Sequence, residues 1–185
     1  MSDAKVRELF EVNVFGVMNV TRAVLPHFRE RKAGVFVNVS SGAGVFVLPT
    51  ASLYSASKFA LEAFSEGLAW EVGTFGVKVK LIEPGGVATS FNERAGREGA
   101  ASSVVPGYEA FFAQAGAMFG KLQANANADA SATDEKVAQV MFDAATDGSE
   151  QLRYVATEAI KQKVALRRSG GEDAYVKHMR ALLAG

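Results

Sequence analysis

Apolar residues recur at three- and four-residue steps from the first turns of the chain. Val6, Phe10, Val17, Val20 and Val24 fall on one stripe, which predicts an amphipathic helix over residues 3–29. Asn13 lies inside that stripe, and a polar amide on an apolar face must find hydrogen-bond partners or lose solvation at a cost. Pro26, the basic cluster Arg29, Arg31 and Lys32, and then Gly34 mark the way out of the helix. The run GVFVNVSS (34–41) is continuously apolar at first and suits a buried parallel strand. Residues 42–53 form a Gly- and Pro-containing loop. From Tyr54 to about Val72 the pattern is helical again, with Phe59, Leu61, Phe64, Leu68 and Trp70 on more than one face, which predicts a helix covered on two sides.

VKVKLIEPGG (77–86) reads as a second buried strand ending at Pro84-Gly85-Gly86. Strand, long helix and strand in succession make a βαβ crossover, so the fold class is α/β with a parallel sheet. Residues 91–130, rich in Gly, Ala, Ser and Asn, are the least regular stretch and a candidate mobile lid over a substrate; the aromatic patch at Tyr108, Phe111 and Phe112 within it reads as core, with a substrate pocket as the second reading. Thr133-Asp134-Glu135 opens another helix, with a capping hydroxyl and acids where the helix dipole favours them. QLRYVAT (151–157) is a third strand, and a basic amphipathic tail closes the chain. Nothing marks a repeat or a second domain, so residues 1–185 read as one domain.

Composition changes this picture only by exclusion. Lys+Arg and Asp+Glu both number 20, a formal net charge of zero, so neither nucleic acid nor an anionic membrane is called for as partner. There is no cysteine, which removes disulfides and thiolate metal sites, and no cluster has metal-ligand spacing. No apolar run reaches the ~18–20 residues of a membrane span. The opening MSDAKVRELFEVN carries acids early and is no secretory signal, so the expected location is the cytoplasm.

Candidate chemistry gathers at one edge. In an open parallel sheet, ligands lie outside the carboxyl ends of the strands. Ser40-Ser41 follows the first strand and Pro84-Gly85 the second, and Tyr54 and Lys58 begin the helix between them at the same edge. Tyr54 and Lys58 are one turn apart on one helix face. A phenol with a reference pKa of about 10 exchanges protons poorly near neutrality. A neighbouring ammonium favours the phenolate, which predicts a lowered pKa for Tyr54 suited to acid–base work on an alcohol or carbonyl. Ser41 is placed to hydrogen-bond the substrate oxygen, and Asn13 to hold a water or backbone group behind Lys58.

In order and spacing, NVSSGAG (38–44), YSASK (54–58) and EPGGVATSF (83–91) resemble the successive signatures of the short-chain dehydrogenase/reductase family, and FEVNVFG (10–16) resembles its helix bearing an active-site asparagine. The resemblance implies an NAD- or NADP-dependent oxidoreductase on part of a Rossmann-type, doubly wound parallel sheet, acting on a small carbonyl or alcohol substrate as a homo-oligomer. It implies Tyr54 as general acid/base, Lys58 as the residue that lowers the tyrosine pKa and binds the nicotinamide ribose, Ser41 as substrate-orienting hydroxyl, and Asn13 as anchor of a relay water. Pro84, Gly85, Val87 and Thr89 correspond to the segment packing on the nicotinamide. Val45, Phe46, Val47 and Leu48 suggest an apolar substrate.

The family's opening strand and Gly-rich TGxxxGxG-type turn, whose N–H groups receive the pyrophosphate, have no counterpart here. About 90 residues, three βα units of ~30 each, would supply them, and Met1 reads as an internal methionine of a truncated catalytic portion. The strand at 34–40 is accordingly expected to present an open parallel edge. A second reading is a non-catalytic fragment serving as an association module, because the helices at 3–29 and 54–73 are those the family uses for subunit contacts.

Overall fold

The computed structural model describes residues 1–87 and 106–184. Its first helical arm is continuous from Asp3 to Arg31: α1 (Asp3–Phe10), one π turn over Glu11–Phe15, and α2 (Gly16–Arg31). A π turn holds an extra residue and rotates the rest of the helix by about one position. This corrects the expected stripe, since Val20 is 62% exposed while Val14 and Thr21 are buried. Pro26 also lies inside α2 rather than at its exit; the helix stops at Lys32, whose φ of 50° is left-handed.

The sheet has three parallel strands in the order β1-β2-β3: β1 (Gly34–Val39), β2 (Val77–Glu83) and β3 (Arg153–Val155). β1 pairs with β2 from Gly34↔Val77 to Val39↔Ile82. Between them runs α3 (Ser52–Val72), preceded by a 3-10 turn at Gly42–Gly44. One face of the sheet buries Phe36, Val77 and Val79 against Leu68 and Val72 of α3, with Val24, Leu25 and Phe28 of α2 packed alongside. The opposite face buries Ile82 against Val137 and Ala144 of α5 (Asp134–Thr146). Helices on both faces make the sheet doubly wound, an α/β partial Rossmann-type fold, and β2 reads as a nearly unbroken buried run for that reason.

β2 also carries two lysines. Lys80 is 1% exposed, and its ammonium is satisfied by Asp147 Oδ1 (3.3 Å), Ser149 O and Oγ (2.8 and 3.2 Å), Gln151 O (3.0 Å) and Tyr154 Oη (2.9 Å). A buried cation persists only with such a cage.

β1 lies at the sheet edge, with no strand on its other side among the described residues, and Val39 is 42% exposed. The helix at 52–72 is covered on one side rather than two: Leu61, Ser65 and Leu68 are buried, while Trp70 is 69% exposed. The region expected to be irregular contains α4 (Glu109–Ala128), a 20-residue helix. Its alanines are strong helix formers and outweigh Gly116 and Gly120, whose dilution of the pattern reads as loop in sequence. Tyr108, Phe111 and Phe112 stack on one another at its start with Tyr108 and Phe112 exposed, so they are not the core they were expected to be. Two helices form the basic tail, α6 (Glu158–Ser169) and α7 (Glu172–Ala184). No helix among the described residues is long and apolar enough to cross a membrane.

Candidate active site

Beyond the sheet the ends of β1 and β2 stay side by side: Ser40 N–H donates to Ile82 O (2.8 Å) and Gly42 N–H to Pro84 O (2.9 Å). That pairing sets the Ser40-Ser41 corner against Pro84-Gly85. Ser41 then caps the 3-10 turn, its Oγ accepting from Ala43 N–H at 3.1 Å. Gly44 lets this turn lie directly on α3, since a Cβ there would stand 2.8 Å from Ser40 Oγ and 3.0 Å from Glu62 Cγ. The loop returning to α3 holds Thr50 at φ 64°, a left-handed conformation a β-branched residue rarely takes.

The first turns of α3 bring the predicted residues together. The Ser41 hydroxyl stands close enough to Tyr54 to favour its phenolate. Ser57 Oγ donates to Tyr54 O (2.7 Å) and accepts from Asn13 Nδ2 (3.0 Å). Asn13 sits in the π turn of the first helical arm, so the irregular turn is what aims its amide at α3. The amide nitrogen of Asn13 is thereby spent on Ser57 Oγ. Lys58 Nζ donates to Val39 O at the end of β1 (3.0 Å) and lies 5.9 Å from the centre of the Tyr54 ring.

The electrostatics differ from expectation. Burial raises the Tyr54 pKa above the usual tyrosine value, and the Ser41 hydroxyl only partly offsets this. Burial likewise lowers the Lys58 pKa, opposed by the charge of Glu62. A half-buried ammonium already committed to a backbone carbonyl does less for the phenolate than desolvation does against it. Tyr54 is thus held as the protonated phenol. Glu62 escaped the sequence reading, although Tyr54, Lys58 and Glu62 at successive four-residue steps were the available signal. Its carboxylate is buried and takes Arg153 Nε–H at 2.9 Å; Arg153 also binds Glu66, and Arg168 binds Glu83.

Gly85 is locked to the start of α6, where its N–H donates to Thr157 Oγ1 at 2.9 Å. Pro84, Gly85 and Val87 line up along the same edge, whereas Thr89 lies outside the described residues, as does 91–105 of the expected lid. The donors here fit a nicotinamide ribose: an ammonium has three N–H groups, and Lys58 spends one on Val39. Among the described residues no turn of the TGxxxGxG kind opens a helix, and the Gly170-Gly171 pair before α7 leads into the acids Glu172 and Asp173, which do not suit a pyrophosphate.

Residues 1–99 match the short chain dehydrogenase family. An uncharacterized oxidoreductase of Schizosaccharomyces pombe is 35% identical over 168 residues, 90% of this chain and 66% of its own length. A 3-ketodihydrosphingosine reductase of Bacteroides thetaiotaomicron is 44% identical over 92 residues, 50% of this chain and 34% of that protein. Among solved structures, a short-chain dehydrogenase from Streptomyces avermitilis superposes with TM-score 0.66 at 30% identity, covering 100% of this chain and 60% of that one. A Burkholderia cenocepacia short chain dehydrogenase in complex with NADP shares the fold at TM-score 0.61 and 21% identity, covering 97% of this chain and 59% of that one. The chain spans just under two thirds of the length of the relatives it matches most broadly. With more than half of its residues matched to the family, this chain belongs to the short chain dehydrogenases.

Proposed function

We propose that this chain carries the proton-transfer machinery of an NAD- or NADP-dependent oxidoreductase acting on a small, apolar carbonyl or alcohol, with Tyr54 as general acid/base. The observation that carries this is the gathering of Tyr54, Lys58 and Ser41 at the carboxyl edge of the sheet, with Lys58 Nζ 5.9 Å from the Tyr54 ring and the Ser41 hydroxyl close enough to act on the phenol. A substrate oxygen between two such hydroxyls is oriented by one and protonated by the other. In reduction the phenol donates its proton to the oxygen of the forming alkoxide, and burial favours that protonated form of Tyr54. The nicotinamide supplies the hydride when bound, and Lys58, Pro84, Gly85, Val87 and Thr89 are the residues that would hold its ribose and ring. Asn13, through Ser57, fixes the turn that carries Tyr54.

The test joins this chain to a Gly-rich nucleotide-binding half and follows oxidation of reduced nicotinamide with apolar ketones. Tyr54→Phe should remove turnover and leave cofactor affinity nearly intact, whereas Lys58→Met should weaken both. Turnover that survives Tyr54→Phe would place the proton donor elsewhere. The chain alone should show no saturable binding of NADH or NADPH at micromolar concentration by nicotinamide fluorescence. Self-association is proposed as well, supported by Val12 at 68% exposure on the first helical arm and Trp70 at 69% on α3; sedimentation that shows only monomer would refute it.

A further inference from the structure

Four bases lie on α6, and three of them are matched to carboxylates: Lys161 with Glu158 (2.6 Å), Arg167 with Glu172 (2.5 Å) and Arg168 with Glu83. Lys163 is the exception. It is half-buried with no ion pair or hydrogen bond among the described residues, and burial alone depresses its pKa. It lines a cavity of about 220 Å³ whose other walls include Phe46 and Leu48 from the loop after Ser41, Phe119 and Leu122 of α4, and Ile160 one turn before it on α6. This cavity adjoins the reacting edge. Ile160 touches both of that edge's glycines, since a Cβ at Gly42 would come within 2.9 Å of Ile160 Cδ1 and one at Gly85 within 2.7 Å of its Cγ2; Gly86 lines the cavity itself.

The hollow is walled mainly by apolar side chains, with Gln123 and Asn125 as its other polar ones. Lys163 has no anionic partner among the described residues, so a ligand that brings one gains a charge-assisted hydrogen bond. We propose that this cavity takes a substrate with an apolar body and a carboxylate at one end, the carboxylate binding Lys163 Nζ and the carbonyl to be reduced lying toward Ser41 and Tyr54. A single ammonium balances a single negative charge, which favours a carboxylate over a phosphate. A hollow of about 220 Å³ limits that apolar body to a short chain. The substrate class is therefore a short oxo- or hydroxycarboxylic acid. This inference rests on the reading of Tyr54 and Ser41 as the reacting edge.

The test is direct binding of hexanoate and 1-hexanol to the chain by titration calorimetry, in wild type, Lys163→Met and Lys163→Arg. Hexanoate should bind more tightly than 1-hexanol to the wild type. Lys163→Met should weaken hexanoate about tenfold, the worth of a charge-assisted hydrogen bond, and leave 1-hexanol unchanged, while Lys163→Arg retains the preference. Equal binding of both compounds, no hexanoate binding at millimolar concentration, or a hexanoate affinity indifferent to Lys163→Met would each overturn the proposal. These readouts need no hydride transfer. Loss of hexanoate selectivity beside Tyr54-dependent turnover would sink only the carboxylate subsite, and Lys163-dependent binding without Tyr54-dependent turnover would sink only the proposed reaction.

Discussion

Replacing Gly85 by alanine is a sharp test of how the carboxyl edge is held. The added Cβ would stand 2.6 Å from Thr157 Oγ1 and 2.7 Å from Ile160 Cγ2. Optimal contacts are nearer 3.5–4.0 Å, so about 1 Å of separation must be found. Neither neighbour can swing away cheaply: Thr157 is 1% exposed, Ile160 is 7% exposed, and both are β-branched and stiff about χ1. Overpacking of this kind costs about 1–3 kcal/mol. Parting the two elements also breaks the Gly85 N–H bond to Thr157 Oγ1, a further ~1 kcal/mol. The expected destabilisation is about 2–4 kcal/mol, equivalent to a Tm roughly 5–15 °C lower for a chain of this size. Urea unfolding with an unchanged m-value measures it. In the alanine variant, Thr157→Ala should recover part of the loss, although alone it destabilises, because it removes the closest clash. A Gly85→Ala protein within about 0.5 kcal/mol of wild type would show that the edge is not clamped to α6 as described.

Four further outcomes are expected. Tyr54→Phe should cut kcat of the joined enzyme by ~100- to 10,000-fold while shifting stability by no more than ~1 kcal/mol, the worth of one hydrogen bond, as read by steady-state kinetics beside thermal melting. Because the Tyr54 pKa is raised, the wild-type rate of carbonyl reduction should stay flat through neutral pH and fall only above the ordinary tyrosine range; a fall centred near neutrality would contradict this. Lys58 has a depressed folded pKa, so the unfolded chain holds its proton longer and wild-type stability should gain on Lys58→Met as pH rises toward 10.5, checked by denaturant titration across that limb. Asp147 is held well below the carboxylate range, first by the Tyr154 hydroxyl, so its contribution is present above pH 4 and lost as pH falls below it, and Asp147→Asn should flatten that acid limb in thermal melts.

Local pattern carried much of the architecture. The switch from helical spacing to short β-rich runs placed β1, α3 and β2 within a few residues of their observed limits, because a sheet covered by helices on both faces draws largely apolar strands, even though β2 also buries Lys80 and Glu83. The ends were less legible. Strand runs read as 34–41 and 77–86 stop at Val39 and Glu83, where the chain continues side by side but leaves the pleat to make the Ser41 turn. In α4, composition misled: Gly and Asn suggested loop, but alanines at neighbouring positions tolerate them within a helix.

At the candidate site the sequence by itself determined which residues meet. Four-residue spacing puts Tyr54 and Lys58 on one face, and the βαβ order brings Ser41 and Pro84 to the same edge. Only the tertiary structure decided what those groups do to one another. Burial, not the neighbouring ammonium, sets the direction of the Tyr54 pKa. Asn13 serves Ser57 from 44 positions away, and the cage around Lys80 comes from residues 67 to 74 positions along the chain. Lys163, one base among several in the sequence, is distinguished only by lacking, among the described residues, the carboxylate partner its neighbours have. Spacing along a helix is local covalent geometry, whereas solvation and pairing are sums over atoms that folding brings together from distant parts of the chain, and no local pattern encodes those sums.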